Sequence, residues 1–406
     1  MPQHATIQPE SVGLSSTRLA KIGPWMQRLV DDRKLAGLSV AVLRHGELAY
    51  VAATGLADIA REQPFTRETL VRIYSMTKPL TSVAIMMLYE DGRFQLDDAI
   101  ARFLPGFATM RVCVGGSRAR PETVPAARDI TFRDLLTHTS GLTYGFMDAT
   151  LVDALYRDNG IDFQISPLTL ADLVEKVAKL PLLAQPGTAW NYSIATDVLG
   201  RLVEVMSGQP FDVFLQTRVL APLGMTETGF RVGEDAVPRL ATLYTRGADG
   251  TPAIMDDPPT SIFLKSRLPS GGGGLVSTLD DYLRFCRFML NQGELAGVRL
   301  LGRKTVELMT RNHLEGDLAA LGQPRFAESS YAGIGFGLGV SVMLDPARAQ
   351  ILGSPGEYAW GGAASTAFWI DPAEDMAVVL LTQLLPSSSY PIRRELRVLT
   401  YAALLD

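Results

Sequence analysis

The 406-residue chain is poor in cysteine and histidine, has no long apolar run and carries no excess of basic residues. Its two cysteines, Cys113 and Cys286, lack the paired spacing of a metal site, so we expect both to be reduced thiols. No uncharged segment approaches the roughly 20 residues that span a bilayer. The formal net charge is −5 with both signs mixed, which indicates neither nucleic acid nor a membrane as a partner.

Motifs of several catalytic classes are also missing. The chain has no G-x-S-x-G pentapeptide and no H-E-x-x-H motif, and the glycine run at 271–274 lacks the G-K-[ST] ending of a phosphate loop. We therefore predict no metal and no cofactor. His138 ends a short helical pattern and is interpreted as a structural hydrogen-bonding residue. The polar start, MPQHATIQPESVGLSS, lacks the apolar centre of a secretion signal, which favours a cytoplasmic protein.

The spacing of apolar residues predicts an α+β protein. Strand patterns lie towards both ends of the chain and short helical patterns lie between them, which indicates one sheet built from both ends. We expect helices over 15–34, 277–293 and 392–405, a hairpin turning at His45-Gly46, further strands over 336–344, 359–370 and 376–383, and irregular loops over 104–128 and 231–262.

The segment RIYSMTKPLTSVAIMMLYEDG (72–92) predicts a buried helix with a serine and a lysine in its first turn. Residues 83–88 are apolar on every side, as in a helix that is buried all round. Burial and the positive end of the helix dipole both disfavour a charged amine, so the pKa of Lys78 is expected to fall. A neutral lysine beside Ser75 is the base that a serine hydroxyl needs to act as a nucleophile.

Two later segments carry further candidate residues. QPGTAWNYSIATDVLG places Tyr192 in a turn before a helix, where its ring either packs under the loop or faces a site. In EYAWGGAASTAFWI, Gly361 and Gly362 interrupt an apolar strand. Glycines at such a position indicate close approach by a ligand or another backbone, or else a β-bulge.

The order of S-x-x-K, then Tyr-Ser, then a glycine-rich strand resembles the serine β-lactamase and penicillin-binding-protein superfamily. The segments LLTHTSGL, QPGTAWNYS and PSGGGGLVSTLDDYLRF are similar to those of the β-lactamase-like (family VIII) carboxylesterases, over nearly the whole chain. This resemblance implies a β-lactamase-like fold of the class C type, with an antiparallel sheet flanked by helices and an inserted, mainly helical region. It implies two domains, 1–95 with 275–406 and 96–274, with the active site in the cleft between them.

Carried over to this chain, the resemblance implies a role for each matching residue. Ser75 would be the acylated nucleophile, Lys78 its proton acceptor, and Tyr192 would share the base role and protonate the leaving alcohol. The backbone amides of Ser75 and Ala363 would form the oxyanion hole. The residues implied to line the cleft and bind the substrate are Trp360, Gly361 and Gly362.

Two departures from the true β-lactamases bear on the substrate. Those enzymes carry Y-x-N where this chain has Tyr192-Ser193-Ile194, and K-T-G where it has Trp360-Gly361-Gly362. The amide that faces the substrate and the cation that holds its carboxylate are therefore missing. We expect a serine carboxylesterase that hydrolyses small, short-chain esters through an acyl-Ser75 intermediate. The alternatives are an acyltransferase, a weak β-lactamase or DD-peptidase on the same fold, and a non-catalytic binding module.

Overall fold

The structure is a computed structural model that describes residues 7–161, 168–248, 250–322, 325–326 and 329–405. Its α-helices, in chain order, are α1 Ser16–Leu19, α2 Ile22–Asp31, α3 Thr77–Glu90, α4 Phe132–Leu136, α5 Leu151–Asp158, α6 Leu170–Val177, α7 Ala195–Ser207, α8 Phe211–Leu215, α9 Leu279–Leu290, α10 Arg303–Met309, α11 Pro346–Ala349 and α12 Ile392–Tyr401. Its strands are β1 Gly37–Arg44, β2 Glu47–Asp58, β3 Gln63–Pro64, β4 Val71–Arg72, β5 Arg111–Gly116, β6 Pro121–Pro125, β7 Leu243–Arg246, β8 Pro252–Asp256, β9 Val276–Ser277, β10 Glu294–Leu295, β11 Val298–Arg299, β12 Arg325–Phe326, β13 Ser329–Ser330, β14 Ile334–Phe336, β15 Ser341–Met343, β16 Tyr358–Gly361, β17 Ala367–Asp371, β18 Met376–Thr382 and β19 Leu384–Leu385.

The main sheet has eight strands and takes them from both ends of the described chain. Its order is β14-β15-β16-β17-β18-β1-β2-β3, and every neighbouring pair is antiparallel. β1 lies inside the sheet, paired with β2 across the hairpin at His45-Gly46 and with β18 on its other side. The predicted α+β fold, the hairpin and the sheet shared by both ends are confirmed.

Both faces of this sheet are covered by apolar cores. Successive side chains of a strand point to opposite sides, so they enter different cores. On β1, Val40 and Val42 belong to the apolar core that includes α2 and α12. Ala41 and Leu43 belong to the second core, which includes α3 and α9. The whole of β1 is therefore buried, which explains why its sequence is apolar without alternation.

The helix predicted over 15–34 is two helices in the structure, α1 and α2. Ser15 caps the first, since its hydroxyl accepts a hydrogen bond from the Arg18 amide. The break falls at Ala20 and Lys21. Pro24 accounts for it, because a proline in a continuous helix has no amide to donate and clashes with the carbonyl four residues earlier.

The strands predicted over 336–344 and 359–370 are each a pair of strands joined by a turn, so the single-strand predictions were wrong. In the first, the Gly337 amide donates to the Val340 carbonyl at 2.8 Å and closes the turn between β14 and β15. In the second, the Gly362 amide donates to the Thr366 carbonyl at 2.9 Å and closes the turn between β16 and β17. A run of apolar residues concealed both turns, because these turns are themselves largely buried.

The loops predicted over 104–128 and 231–262 contain regular structure. The first holds the hairpin of β5 and β6, and the second holds β7 and β8, which pair antiparallel. Most residues of β5, β6 and β8 are exposed or only partly buried. Their sequences therefore lack the apolar alternation from which a half-buried strand is predicted.

The second core, which also holds Ala41 and Leu43, takes apolar residues from helices in the middle of the chain, namely α3, α4, α6, α7 and α8. α3 is at its centre, with every residue from Thr77 to Leu88 buried. The division into 1–95 with 275–406 and 96–274 stays a prediction. No helix in the described part of the chain combines the length and the apolar character needed to cross a bilayer.

Candidate active site

Ser75 lies in a short 3₁₀ turn, Tyr74–Met76, that leads directly into α3. The preceding residue, Tyr74, has a φ of 44°, in the left-handed region that non-glycine residues rarely adopt. β4 leads into this turn and pairs with β9. The Leu275 carbonyl, just before β9, accepts from the Ile73 amide at 3.1 Å. The candidate nucleophile therefore lies at the start of a buried helix, on a backbone that is strained and held by hydrogen bonds.

Lys78 is one turn further along α3 and is almost fully buried. Its amine lies 2.6 Å from the Gly272 carbonyl oxygen, 3.1 Å from the Tyr144 hydroxyl and 3.5 Å from Ser75 Oγ. A neutral amine has two N–H donors and one lone pair. Because Gly272 and Tyr144 accept two hydrogen bonds, the lone pair of a neutral Lys78 is left to face Ser75.

Burial lowers the pKa of Lys78 to about 7, while the nearby Asp197 carboxyl opposes the shift. The sequence-based expectation of a lowered pKa agrees in direction with this value. A lysine with a pKa near 7 is substantially neutral at physiological pH, and it can therefore accept a proton. Such matching of pKa to the working pH is what general base catalysis requires.

Tyr192 lies in the loop before α7, and its hydroxyl donates to Ser75 Oγ at 2.6 Å. Burial raises the pKa of Tyr192, and hydrogen bonds with the side chains of Ser75 and Trp360 oppose the rise. Tyr192 is thus protonated at neutral pH in the resting site. Trp360, predicted as cleft wall, also contacts the tyrosine ring, with the ring centroids 5.5 Å apart.

Gly361 ends β16 and Gly362 follows it, and other groups approach both residues closely. A Cβ on Gly362 would lie 2.4 Å from the carbonyl oxygen of Ile73, two residues before Ser75. A Cβ on Gly361 would lie 2.8 Å from the Arg393 guanidinium carbon. Gly362 therefore lets the chain pack against the turn that holds Ser75, and Gly361 leaves space for the Arg393 guanidinium. Close approach by another group is the first of the two explanations offered by the sequence.

A cavity of about 490 Å³ opens at Ser75, and it lies within the size range that holds drug-sized ligands. Its lining is mainly apolar and includes the predicted residues Ser75, Tyr192, Trp360, Gly361, Gly362 and Ala363. All the predicted site residues except Lys78 thus line one cavity, and Lys78 lies directly behind Ser75. Further apolar residues around it are Phe146, Met255, Tyr331, Ile334 and Leu385.

The family model described as Beta-lactamase matches residues 24–402. The chain belongs to the β-lactamase family. Its β-lactamase-like fold and the resemblance to the family VIII esterases are confirmed by similar proteins and structures.

Three similar proteins illustrate the relationship. An uncharacterised protein of Mycobacterium tuberculosis is 37% identical over 379 residues, which cover 90% of each chain. Esterase EstB of Burkholderia gladioli is 32% identical over 419 residues, which cover 98% of this chain and 99% of EstB. Among solved structures, EstCE1, a hydrolase with promiscuous acyltransferase activity, is 30% identical with a TM-score of 0.80, covering 96% of this chain and 99% of EstCE1. These similarities support a serine hydrolase on the β-lactamase fold.

Three residues of this β-lactamase-family site were missed in the sequence. Tyr144 and Gly272 hold the amine of Lys78, and Asp197 lies behind them, fully buried in the first turn of α7. Asp197 accepts hydrogen bonds from the Ser270 hydroxyl at 2.5 Å and the Gly272 amide at 3.2 Å. The sequence carries no signal that singles out Asp197, because α7 also contains Arg201 and Glu204 and an acidic residue is common in the first turn of a helix.

His138 is close to the site in this β-lactamase-family chain but is not placed as a base. Its Nδ1 is 3.0 Å from the Ser193 hydroxyl, and its ring centroid is 5.0 Å from that of Tyr192. Burial, with a smaller contribution from Lys78, lowers the pKa of His138 well below its ordinary value. The structural interpretation of this histidine agrees with these contacts. Among the described residues, no group of three or more His, Cys, Asp or Glu is arranged to hold a metal ion.

Proposed function

We propose that this protein is a carboxylesterase that hydrolyses short-chain carboxylic esters through an acyl-Ser75 intermediate. The observation that carries the proposal is the position of Ser75 Oγ, between the hydroxyl of Tyr192 and the amine of Lys78. A serine hydroxyl becomes a nucleophile only when a base removes its proton, and this arrangement supplies the base. The esterase EstB among the similar proteins supports the ester class.

Acylation begins when Ser75 Oγ attacks the ester carbonyl carbon and its proton passes to Lys78. The electron pair of the carbonyl bond moves to the oxygen, which the amides of Ser75 and Ala363 stabilise. Collapse of this intermediate re-forms the carbonyl and breaks the bond to the alcohol. Tyr192 donates its proton to the departing alkoxide and recovers one from the Lys78 ammonium. Lys78 is then neutral again.

Deacylation repeats these steps with water as the nucleophile. Water attacks the carbonyl carbon of acyl-Ser75, and its proton passes to Lys78 in the space that the alcohol has left. Collapse of the second intermediate breaks the bond to Ser75 Oγ, which regains a proton from Lys78 or Tyr192. The carboxylic acid is released, and Ser75, Lys78 and Tyr192 return to their starting states.

The preference for neutral esters rests on the residues at two positions. Trp360 stands where a lysine of the true β-lactamases would bind a substrate carboxylate, and it presents an indole instead. Ile194 is 1% exposed and packs in the core, so the third residue of Tyr192-Ser193-Ile194 offers the substrate no amide. Nothing at these two positions compensates for burying a carboxylate, and an uncharged ester avoids that cost.

Hydrolysis of p-nitrophenyl butyrate by Ser75→Ala tests the proposal. We expect hydrolysis to fall to the background rate, because the acyl group has no acceptor. The matched control is Ser82→Ala, on the same helix, since the Ser82 hydroxyl is buried and has no hydrogen-bond partner among the described residues. Turnover by Ser75→Ala at the rate of the control variant would contradict the proposal.

A second candidate is transfer of the acyl group to an alcohol instead of to water. The cavity of about 490 Å³ favours it, because a short acyl group leaves space beside Ser75 for an organic acceptor. EstCE1, a hydrolase with promiscuous acyltransferase activity, points the same way. Adding 1-butanol to the assay separates the two reactions, since butyl butyrate forms only by acyl transfer.

The remaining alternatives have their own assays. A chromogenic cephalosporin reports weak β-lactamase activity, and release of D-alanine from a D-Ala-D-Ala peptide reports DD-peptidase activity. A binding module would leave Ser75 unreactive. Failure of a fluorophosphonate probe to label Ser75 would therefore favour the binding module over every enzymatic alternative.

A further inference from the structure

We propose that Arg393, in the first turn of α12, is a positioning residue of the oxyanion hole. The inference rests on the proposed serine chemistry at Ser75 and on the assignment of the Ala363 amide to the oxyanion hole. Arg393 does not touch the reacting atoms in this proposal. It acts by fixing the direction of the peptide group that joins Gly362 to Ala363.

The guanidinium of Arg393 forms hydrogen bonds with both ends of the turn between β16 and β17. Its Nη2 donates to the Gly362 carbonyl at 2.8 Å and to the Thr366 carbonyl at 2.9 Å. The Gly362 amide donates to the same Thr366 carbonyl. Arg393 therefore ties together the first and last residues of the segment that contains Ala363.

The planarity of the peptide bond turns this contact into control of the oxyanion hole. In a trans peptide, the carbonyl of one residue and the amide of the next point in opposite directions. When Arg393 holds the Gly362 carbonyl on its own side, the Ala363 amide must point away from α12. Ala363 lines the cavity at Ser75, and its amide donates no hydrogen bond to any other described residue, which leaves it available to a substrate oxygen.

The local sequence explains why the two hydrogen bonds from Arg393, here called the clamp, are needed. Two adjacent glycines, Gly361 and Gly362, are compatible with many backbone conformations, so this peptide group can rotate more easily than most. Rotation would turn the Gly362 carbonyl towards the cavity and place a partial negative charge where the oxyanion forms. Among the described residues the Gly362 carbonyl accepts a hydrogen bond from Arg393 alone.

The glycine at 361 makes the clamp possible. The guanidinium lies so close to the backbone that a Cβ on Gly361 would be 2.8 Å from its carbon and 2.8 Å from Nη2. Arg393 thus packs flat against the end of β16. Lysine cannot reproduce this contact, because its single amine lacks the planar, rigid set of donors of a guanidinium.

Arg393→Met tests the proposal, because methionine keeps an unbranched apolar chain of similar reach and removes every donor. We expect kcat for p-nitrophenyl butyrate to fall about tenfold to hundredfold, up to the loss seen when one oxyanion donor is removed. KM should stay within about twofold, since the ground-state ester gains little from the oxyanion hole. The inhibition constant of a trifluoromethyl ketone, whose hemiketal oxygen occupies the hole, should rise by the same factor as kcat falls.

Arg299→Met is the matched control, since Arg299 is exposed, lies outside the cavity lining and likewise donates to two backbone carbonyls, those of Gln292 and Leu301. This control variant should keep the wild-type kcat and the wild-type inhibition constant for the trifluoromethyl ketone. Arg393→Lys should resemble Arg393→Met in both quantities. If Arg393 only stabilised the fold, Arg393→Met would have a lower melting temperature and an unchanged inhibition constant. That result would overturn the proposal. Wild-type kcat in Arg393→Met would overturn it as well.

The test also separates failure of this inference from failure of the esterase proposal. If the wild-type protein hydrolyses no ester, the rate of fluorophosphonate labelling of Ser75 becomes the readout, because the tetrahedral phosphorus also places an oxygen in the hole. Labelling at least about tenfold slower in Arg393→Met than in Arg299→Met supports the clamp. Equal labelling of the two variants overturns it.

Discussion

Replacing Lys78 with methionine is expected to abolish activity and, at the same time, to remove a pH dependence from the stability of the fold. Lys78 has a pKa of about 7 in the folded protein, against an ordinary value of 10.5. Between these two pH values the unfolded chain binds a proton at Lys78 that the folded protein does not bind. The free energy of unfolding of the wild-type protein therefore rises with pH in this window. Below pH 7 both states are protonated, and this contribution becomes constant.

The magnitude follows from the size of the pKa shift. Each pH unit inside the window changes the free energy of unfolding by about 1.4 kcal/mol. From pH 7.5 to pH 9.5 the wild-type protein should therefore gain roughly 2–3 kcal/mol relative to Lys78→Met. The lost contacts of the amine with Gly272 and Tyr144 add an offset. That offset is nearly the same at each pH, so the slope and not the absolute difference carries the prediction.

Urea denaturation of both proteins at pH 6, 7.5, 8.5 and 9.5 measures this slope. The groups that face Lys78 are the hydroxyls of Ser75, Tyr144 and Tyr192, the carboxyl of Asp197 and, further away, His138. Of these, His138 titrates well below the window and Tyr192 above it. Lys21→Met, at an exposed lysine, is the control. Its free energy of unfolding should change with pH in the same way as that of the wild type. Parallel curves for wild type and Lys78→Met would refute the reasoning, because they would show a lysine that keeps its proton on folding.

Two further predictions concern residues close to Ser75 and Lys78. In Asp197→Asn, the pKa of Lys78 should fall further, since Asp197 raises it, and the acidic limb of the kcat/KM profile should move to lower pH; an unmoved limb would show that Asp197 does not set the charge state of Lys78. Gly362→Ala should lower the free energy of unfolding by about 1–3 kcal/mol, because the new Cβ would lie 2.4 Å from the Ile73 carbonyl oxygen. Gly229→Ala, whose new Cβ would lie 3.9 Å from the Arg231 carbonyl oxygen, should be nearly neutral in the same denaturation assay.

The part of the site that lies on one helix could be predicted from the sequence. Ser75 and Lys78 are three residues apart, and that spacing places both side chains on one face of a helix. The apolar run at 83–88 showed that the helix is buried, and burial explains the direction of the pKa shift of Lys78. Local periodicity was sufficient for each of these inferences.

The contacts between separate elements could not be derived in this way. Tyr192 was identified through the order of motifs, since nothing local to Tyr192 indicates that its hydroxyl meets a serine 117 residues away. Tyr144 and Gly272 reach Lys78 from two further loops, and a single sequence carries no information on which loops converge. Arg393 was likewise concealed, because an arginine near the start of an amphipathic helix normally faces solvent.

The wrong predictions of secondary structure have a common physical cause. Periodicity records which residues are buried, and it cannot distinguish a buried turn from a buried strand. The turns after Phe336 and Gly361 lie inside the protein and read as continuations of their strands. The hairpin of β5 and β6 is the opposite case, since its exposed strands read as a loop.

The place of β1 inside the sheet has a consequence for how the protein is made on the ribosome. Gly37 in β1 accepts a hydrogen bond from Thr382 in β18, 345 residues later in the chain. Until those residues have been synthesised, one edge of β1 has no strand beside it, and an unpaired apolar edge is a template for aggregation. Ala363 lies between β16 and β17, also far along the chain from β1, so we expect the proposed oxyanion hole to form only after residue 363 has left the ribosome.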